Sequence, residues 1–216
     1  DHRDLHSFPT RRSSDLLSLA VSHGHMECAK ILLNSKAIVD IYDYEGATPL
    51  LQAALGGRHE FVRLLLQHKA DVKVKQHNGL SALTVASIHG KLECVKLLMD
   101  AKAEVNSKAE NGATALFGAA YYGHTACVKL LIDAKAELDS KVNRNTTAFI
   151  MAATNNHLDC VKLLMDAKAD ILHFDADGVD ALTIATMRKH KAIADLIQSA
   201  ILKDKAKVER FISRPP

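Results

Sequence analysis

The residues best suited to chemistry in this sequence are its four cysteines and twelve histidines. His23, His25 and Cys28 are spaced closely enough to offer imidazole and thiolate ligands to a metal ion. The same His-x-x-Cys spacing recurs at His124 and Cys127 and at His157 and Cys160. A recurring spacing is typical of a repeated packing position, so the sequence predicts structural thiols and no metal site.

The cysteines are also spaced too regularly to suggest disulfides. Cys94, Cys127 and Cys160 follow one another at a constant interval, and Cys28 lies two such intervals before Cys94. Packed helices lie roughly 8–10 Å apart, whereas a disulfide needs Cα atoms within about 7 Å. We therefore expect a ladder of separate thiols in the core, which favours a reducing compartment. This predicts a cytoplasmic protein, with the nucleus as the second location.

The sequence lacks the motifs of the common enzyme classes. It has no Gly-x-Ser-x-Gly nucleophile motif, no Gly-x-x-x-x-Gly-Lys phosphate loop and no His-Glu-x-x-His zinc motif. His89 and Glu93 are four residues apart, but a turn at Gly90 separates them. We expect no enzymatic activity, no catalytic residues and no cofactor.

Composition excludes further functional classes. Lys and Arg number 28 against 25 Asp and Glu, and the net charge of +3 is spread along the chain, unlike the basic patches of nucleic-acid-binding proteins. No apolar run approaches the roughly 18 residues of a membrane-spanning helix. We therefore expect neither nucleic-acid binding nor membrane insertion.

The interval that separates the cysteines organises the whole chain. Lysine recurs at this interval in one phase, each time followed by alanine, at Lys36, Lys69, Lys102, Lys135 and Lys168. Glycine recurs in another phase, with an asparagine in the gap, at Gly46, Gly79, Gly112, Asn145 and Gly178. The chain is therefore predicted to consist of about six similar structural units.

Each unit is predicted to form two short helices and a turn. Thr48 is a good N-cap and Pro49 suits the first helical position, while Gly56 and Gly57 end that helix. A second, apolar helix follows, and a polar connection containing Asn78-Gly79 then predicts a hairpin turn. Neither helix is long enough to be stable alone, so neighbouring units must stack.

These units resemble the ankyrin repeat. The family's Gly-x-Thr-Pro-Leu motif is present at 46–50 and, with Ala for Pro, at 112–116. Its Gly-His turn is present at 24–25 and 123–124. Its Val-Lys-Leu-Leu run is present at 95–98, 128–131 and 161–164. The resemblance covers about residues 17–202. It implies an all-α ankyrin-repeat solenoid, a curved right-handed stack with β-hairpin loops projecting at right angles, and a role in protein binding.

The repeat phase sets the predicted domain boundaries. They are a segment unlike the repeats at 1–16, a truncated first repeat at 17–42, repeats at 43–75, 76–108, 109–141 and 142–174, a C-terminal repeat at 175–202, and a capping helix and tail at 203–216.

The two ends depart from the repeat pattern. Residues 1–16 resemble a translated short-read sequencing adapter, the alternative being a native polar tail. Leu17 aligns with Leu50, so we expect the first repeat to lack its helix start, to expose apolar surface and to continue a longer parent protein. The helix beginning near Lys191 is expected to run on as a cap, the alternative being a fragment boundary.

Two departures from the family pattern lie inside the repeats. Lysine replaces the glycine that ends the second helix, which costs about 1 kcal/mol at a left-handed position. The histidine of the family's first-helix motif is also missing. The sequence therefore predicts the same fold with lower stability than an idealised array.

Differences between repeats indicate the binding surface, because packing fixes the framework positions. All four tyrosines fall on predicted hairpin tips or first-helix ends, and Tyr is enriched among interface hot spots. The predicted protein-binding residues are Tyr42, Tyr44, Glu45, Leu55, Lys75, His77, Asn78, Ile88, His89, Glu110, Asn111, Tyr121, Tyr122, Asn143, Arg144 and Asn155.

The sequence thus predicts a monomeric, non-enzymatic scaffold or adaptor that binds another protein on its concave surface. One alternative is a regulatory ankyrin segment of a larger enzyme, ion channel or ubiquitin-ligase subunit. A second places the partner on a basic ridge formed by the lysine column, although Asp71, Glu104, Glu137 and Asp170 follow two residues behind those lysines.

Overall fold

The computed structural model describes residues 8–204 together with Glu209 and Ile212, and it describes side chains from Asp15 onward. Twelve α-helices and one 3-10 turn account for the regular structure of these residues. The predicted all-α repeat solenoid class is therefore confirmed. The chain divides into two compact units, Asp1–Glu110 and Asn111–Pro216.

The first unit contains three helix pairs. Its helices are α1 (Phe8–His23), α2 (Met26–Asn34), α3 (Pro49–Leu55), α4 (His59–Gln67), α5 (Ala82–Ile88) and α6 (Leu92–Asp100). Each first helix packs on its own second helix, and the pairs stack through α1 on α3, α3 on α5 and α4 on α6.

The second unit also contains three helix pairs. Its helices are α7 (Ala115–Tyr121), α8 (Thr125–Asp133), α9 (Ala148–Thr154), α10 (Leu158–Asp166), α11 (Ala181–Met187) and α12 (Lys191–Leu202), with the 3-10 turn at Asn143–Asn145 before α9. The pairs stack through α7 on α9, α9 on α11 and α8 on α10.

Side-chain caps begin the first helices, as predicted from Thr48. The Thr48 hydroxyl accepts a hydrogen bond from the Leu51 N–H at 3.4 Å, and Pro49 opens α3. Ser81, Thr114, Thr147 and Asp180 cap α5, α7, α9 and α11 in the same way. These caps satisfy N–H groups that have no partner inside the helix.

Left-handed lysines end the second helices, also as predicted. After α4, the Lys69 N–H bonds the Leu66 carbonyl and the Ala70 N–H bonds the Leu65 carbonyl, both at 3.0 Å. This is the Schellman arrangement, which glycine adopts most easily. The φ angles lie between 62° and 73° at Lys36, Lys69, Lys102, Lys135 and Lys168.

The core contains three of the four thiols. Cys94, Cys127 and Cys160 are buried and free, as predicted, and burial raises the pKa of Cys94 to about 11. The prediction is wrong for Cys28, which is exposed. Thr125 Oγ1 lies 3.6 Å from Cys160 Sγ, so this thiol faces the preceding repeat. Cys28 belongs to the first helix pair, where no described helix covers that face.

Apolar side chains are exposed on the first helix pair, as expected for it. Ile31 is 64% exposed and Leu19 is 53% exposed. The backbone of α1 runs through residues 8–16 of the adapter-like segment. A helical backbone does not distinguish a native segment from an appended one, so the adapter resemblance stays a prediction.

The projecting loops contain less β-structure than the predicted hairpins. Among the described residues, strand pairing is limited to isolated antiparallel bridges at Lys75–Ser81, Val142–Thr146 and Phe174–Asp180. Two arms this short are too small to form a stable ladder by themselves. Turns and side-chain caps hold these loops instead.

The C-terminal helix ends earlier than predicted. Helix α12 ends at Leu202 with Lys203 as its C-cap, so the expectation of an unbroken helix from Lys191 is wrong. Glu209 and Ile212 are helical, and most of the predicted cap at 203–216 lies outside the described residues. In the part of the chain that the structure describes, no helix has both the length and the apolar character needed to cross a bilayer.

Candidate functional site

A tight turn presents two tyrosines at the first loop tip of the first unit. Asp43 Oδ1 accepts hydrogen bonds from the N–H groups of Glu45 at 2.9 Å and of Ala47 at 2.8 Å. This arrangement fixes the loop backbone and leaves the flanking rings outside, with Tyr42 59% and Tyr44 90% exposed. The tip therefore offers large apolar area on an ordered support.

Main-chain hydrogen bonds join the tips of the first unit. The His77 N–H donates to the Glu45 carbonyl at 3.2 Å, and the Glu110 N–H donates to the Asn78 carbonyl at 3.0 Å. Lys75 Nζ also donates to the carbonyl of Lys108 at 3.3 Å. Neighbouring tips are thus fixed relative to one another by backbone groups.

The tips of the second unit are joined in the same way and also by an ion pair. The Asn143 N–H donates to the Asn111 carbonyl at 3.1 Å, and the Ala176 N–H donates to the Arg144 carbonyl at 2.7 Å. The Arg144 guanidinium contacts both carboxylate oxygens of Asp177. This carboxylate raises the pKa of Arg144 above its ordinary value.

Aromatic rings cluster where α7 ends in the second unit. The ring centroids of Tyr121 and Tyr122 lie 4.7 Å apart in an edge-on arrangement, and those of Tyr122 and His124 lie 6.3 Å apart in a stacked one. Phe117 approaches Tyr121 with a centroid distance of 6.3 Å. Tyr121 is 37% and Tyr122 is 55% exposed, so the cluster forms an aromatic patch on the surface.

The next repeat holds this patch in place. Asn155 Nδ2 and His157 Nε2 both donate to the Tyr121 carbonyl oxygen, at 2.9 Å and 3.0 Å. A carbonyl at a helix C-terminus has no intrahelical partner, so both side chains satisfy a group that would otherwise be unpaired. The position of Tyr121 is thereby set by two repeats.

Comparison with known proteins agrees with this architecture. The family model described as ankyrin repeats (3 copies) matches the chain three times, over residues 6–76, 69–142 and 137–207. The chain belongs to the ankyrin-repeat family. No curated protein shows a significant match to it. Ankyrin repeats are in general non-enzymatic protein–protein interaction modules.

The ankyrin repeats of each unit gather the predicted site residues on loop tips and first-helix ends, here called the tip-and-turn surface. In the first unit it comprises Tyr42, Tyr44, Glu45, Leu55, Lys75, His77, Asn78, Ile88, His89 and Glu110. In the second it comprises Asn111, Tyr121, Tyr122, Asn143, Arg144 and Asn155. Ile88 and Asn155 are half-buried and the others are exposed.

Sequence reasoning missed several residues of this surface. Asp177 forms an ion pair with Arg144. Asp177 aligns with Arg144 one repeat later, and this alignment could have identified it from the sequence. Met187, Arg188 and Lys189 occupy the turn that aligns with Thr154, Asn155 and Asn156, and all three are exposed. The common phase of these turns identifies them as equivalent positions on neighbouring ankyrin repeats.

The titratable groups do not assemble a metal centre in the part of the chain that is described. No group of three or more His, Cys, Asp or Glu side chains there could hold a metal ion. The rings of His23 and His25 stack with centroids 6.2 Å apart. Burial raises the pKa of the Cys127 and Cys160 thiols, which lowers their thiolate fraction and their reactivity.

Proposed function

We propose that this chain is a non-enzymatic scaffold or adaptor that captures another protein on the tip-and-turn surface. One observation carries the proposal: every tyrosine of the chain is exposed, and all four lie on this surface. Tyrosine contributes large contact area with few rotatable bonds, and it is over-represented among the residues that dominate binding energy.

Preorganisation is the physical basis of the proposed binding. The main-chain hydrogen bonds between tips and the bonds to the Tyr121 carbonyl fix the surface before a partner arrives. Association loses about 0.5–1.5 kcal/mol for each flexible side chain that must be ordered. A surface that is already ordered avoids much of this loss.

Site-specific photo-crosslinking tests this function. A photoreactive phenylalanine is placed at Tyr44 or Tyr122, and a matched control carries it at Lys96, an exposed residue on the second-helix side of the first unit. We expect a protein to be crosslinked in cells from Tyr44 or from Tyr122 and not from Lys96. Equal crosslinking from Lys96, or no crosslinked protein from either tyrosine position, contradicts the proposal.

A double substitution measures the contribution of the aromatic patch. Tyr121→Ala with Tyr122→Ala is expected to lose the crosslinked partner while helicity and the melting transition are retained, because both side chains are exposed. Undiminished capture by this variant would place the contact elsewhere.

A further inference from the structure

Three equivalent turns of the second unit have the same backbone conformation. Each runs from the end of a first helix through a left-handed residue to the start of a second helix, with Gly123, Asn156 and Lys189 at φ angles of 76°, 61° and 61°. The turn strip is defined here as residues 121–124, 154–157 and 187–190. It contains two tyrosines, a methionine, three histidines, an arginine and a lysine, but no aspartate or glutamate.

Hydrogen bonds hold the three turns side by side. Asn155 Nδ2 bonds the Tyr121 carbonyl at 2.9 Å, Arg188 Nη1 bonds the Thr154 carbonyl at 3.4 Å, and a ring nitrogen of His190 bonds the Ala153 carbonyl at 3.0 Å. The tyrosine patch and the basic turn at 187–190 therefore belong to one continuous strip of this unit.

Helix capping explains only part of the positive charge. His157 and His190 satisfy carbonyl groups of the preceding repeat, and Arg188 does so through one of its nitrogens. Lys189 stands at the left-handed position that glycine occupies at Gly123, although glycine adopts this conformation at lower cost. Lys189 and the following Lys191 are both exposed, and capping does not account for them.

We propose that the turn strip binds an acidic polypeptide segment that also carries an apolar or aromatic side chain. This inference rests on the proposed function and names the partner's chemistry. Carboxylates of the segment pair with Arg188 and Lys189 through charge-assisted hydrogen bonds. Its apolar side chain packs on the exposed rings of Tyr121 and Tyr122.

Charges on the tips of the same unit favour a peptide over a nucleic acid. Asp175 and Asp177 lie on the last loop tip, and Asp177 is more than half exposed beside Arg144. A phosphate backbone carries a charge at every nucleotide and would be repelled where it passes these carboxylates. A peptide has uncharged positions beside its carboxylates, so it can bind the strip without presenting a charge to Asp175 and Asp177.

Fluorescence anisotropy with defined peptides tests the inference. The probe is a labelled Glu-Glu-Phe-Glu-Glu peptide, compared with Lys-Lys-Phe-Lys-Lys and Glu-Glu-Ala-Glu-Glu peptides and with a labelled oligothymidylate. We expect the acidic phenylalanine peptide to bind best and its affinity to fall as salt rises, since surface charges are screened. Arg188→Gln with Lys189→Gln is expected to weaken it about fivefold or more.

A charge-matched control separates the strip from general electrostatics. Lys129→Gln with Lys162→Gln removes the same charge from exposed positions on the second helices of this unit, and this variant is expected to bind as the parent chain does. Equal loss in both variants, absent binding of the acidic peptide, or tighter binding of the basic peptide or the oligothymidylate overturns the inference. Crosslinking from Tyr122 is measured separately, so a partner captured there through a non-acidic segment would leave the proposed function standing.

Discussion

His157 donates a hydrogen bond from Nε2 to the main-chain carbonyl oxygen of Tyr121, 3.0 Å away in the preceding repeat. The imidazole lies over the turn at Gly123, where an added Cβ would come within 2.4 Å of its Nδ1 atom. His190 also bonds the preceding repeat, through its Nδ1 and the Ala153 carbonyl, one residue before the position equivalent to Tyr121. The histidine that begins a second helix thus links its own repeat to the end of the previous first helix.

Removing this link should lower stability. We expect His157→Ala to reduce the free energy of unfolding by about 1 kcal/mol, because the Tyr121 carbonyl loses one of its two side-chain donors. Urea denaturation followed by circular dichroism measures the change. The control is His59→Ala on the exposed face of α4, where the imidazole contacts the neighbouring Glu60, and equal losses in the two variants would contradict the role given to His157.

Glycine at the left-handed lysine positions should raise stability. Lys102 has a φ angle of 66°, so Lys102→Gly relieves about 1 kcal/mol of backbone strain. The glycine also makes the unfolded chain more flexible, and this offsets part of the gain in stability. We expect a net gain of up to about 0.5 kcal/mol in the free energy of unfolding, measured by denaturant unfolding. Lys96→Gly, inside α6, should lose about 1 kcal/mol instead; a loss at both positions would show that the lysine conformation is not strained.

The carboxylate of Asp40 should make stability depend on pH. Burial raises the pKa of Asp40, although its carboxylate oxygens accept the Asp71 N–H at 3.0 Å and 3.1 Å. Folding therefore favours the protonated form of Asp40. The stability gained from this protonation is present below the ordinary carboxyl pKa and is lost as the pH rises through the raised pKa of the folded chain. Asp40→Asn keeps an acceptor for Asp71 and is expected to be more stable than the parent chain at pH 7 but not at pH 3.

Thermal unfolding across this pH range checks the prediction for Asp40. Asp133→Asn serves as the control, because the Asp133 carboxylate is exposed on α8 and its removal should leave the pH profile unchanged. A constant difference between Asp40→Asn and the parent chain at every pH would mean that the substitution acts through packing and not through charge.

Thiol labelling should distinguish one cysteine from the other three. Cys28 is exposed, whereas Cys94 is buried with a pKa raised to about 11, which leaves on the order of one thiol in a thousand as thiolate at pH 8. We expect brief iodoacetamide treatment of the folded chain to modify Cys28 alone, and treatment in denaturant to modify all four. Mass spectrometry of the intact chain and of its peptides gives the count, and Cys28→Ser should remain unlabelled when folded.

Local rules predicted most of the fold because each repeat encodes its own boundaries. Thr48 and Pro49 specify a helix start, and the lysine column marks helix ends whose left-handed backbone the structure confirms. The exposure of Cys28 could not be predicted from repeat phase, because an aligned position carries no information about whether a neighbouring repeat covers it. The weak hairpins were missed because alternating residues do not show whether an arm has a face to bury.

The candidate site was only partly predictable. Differences between repeats located the tips and the helix ends, but they could not show which side chains meet. Arg144, which contacts Asp177, has a left-handed φ of 62°, and no local sequence pattern predicts that conformation. The basic turn at 187–190 escaped notice because its neighbours in space lie a full repeat away along the chain.

Main-chain groups join the loop tips to one another, so side chains at the tips that take no part in folding are available for recognition. Glu45, Asn78 and Asn111 engage the following tip through their carbonyl oxygens, which every amino acid provides. The Glu45 side chain can therefore change without breaking the link between repeats, whereas Asn78 Oδ1 and Asn111 Oδ1 also accept the N–H groups of Leu80 and Ala113 and hold their own turns. New specificities are reachable by point substitutions at exposed tip residues such as Tyr44 and Glu45 during evolution, and these are the positions to randomise when the chain is used as a starting point for selected binders.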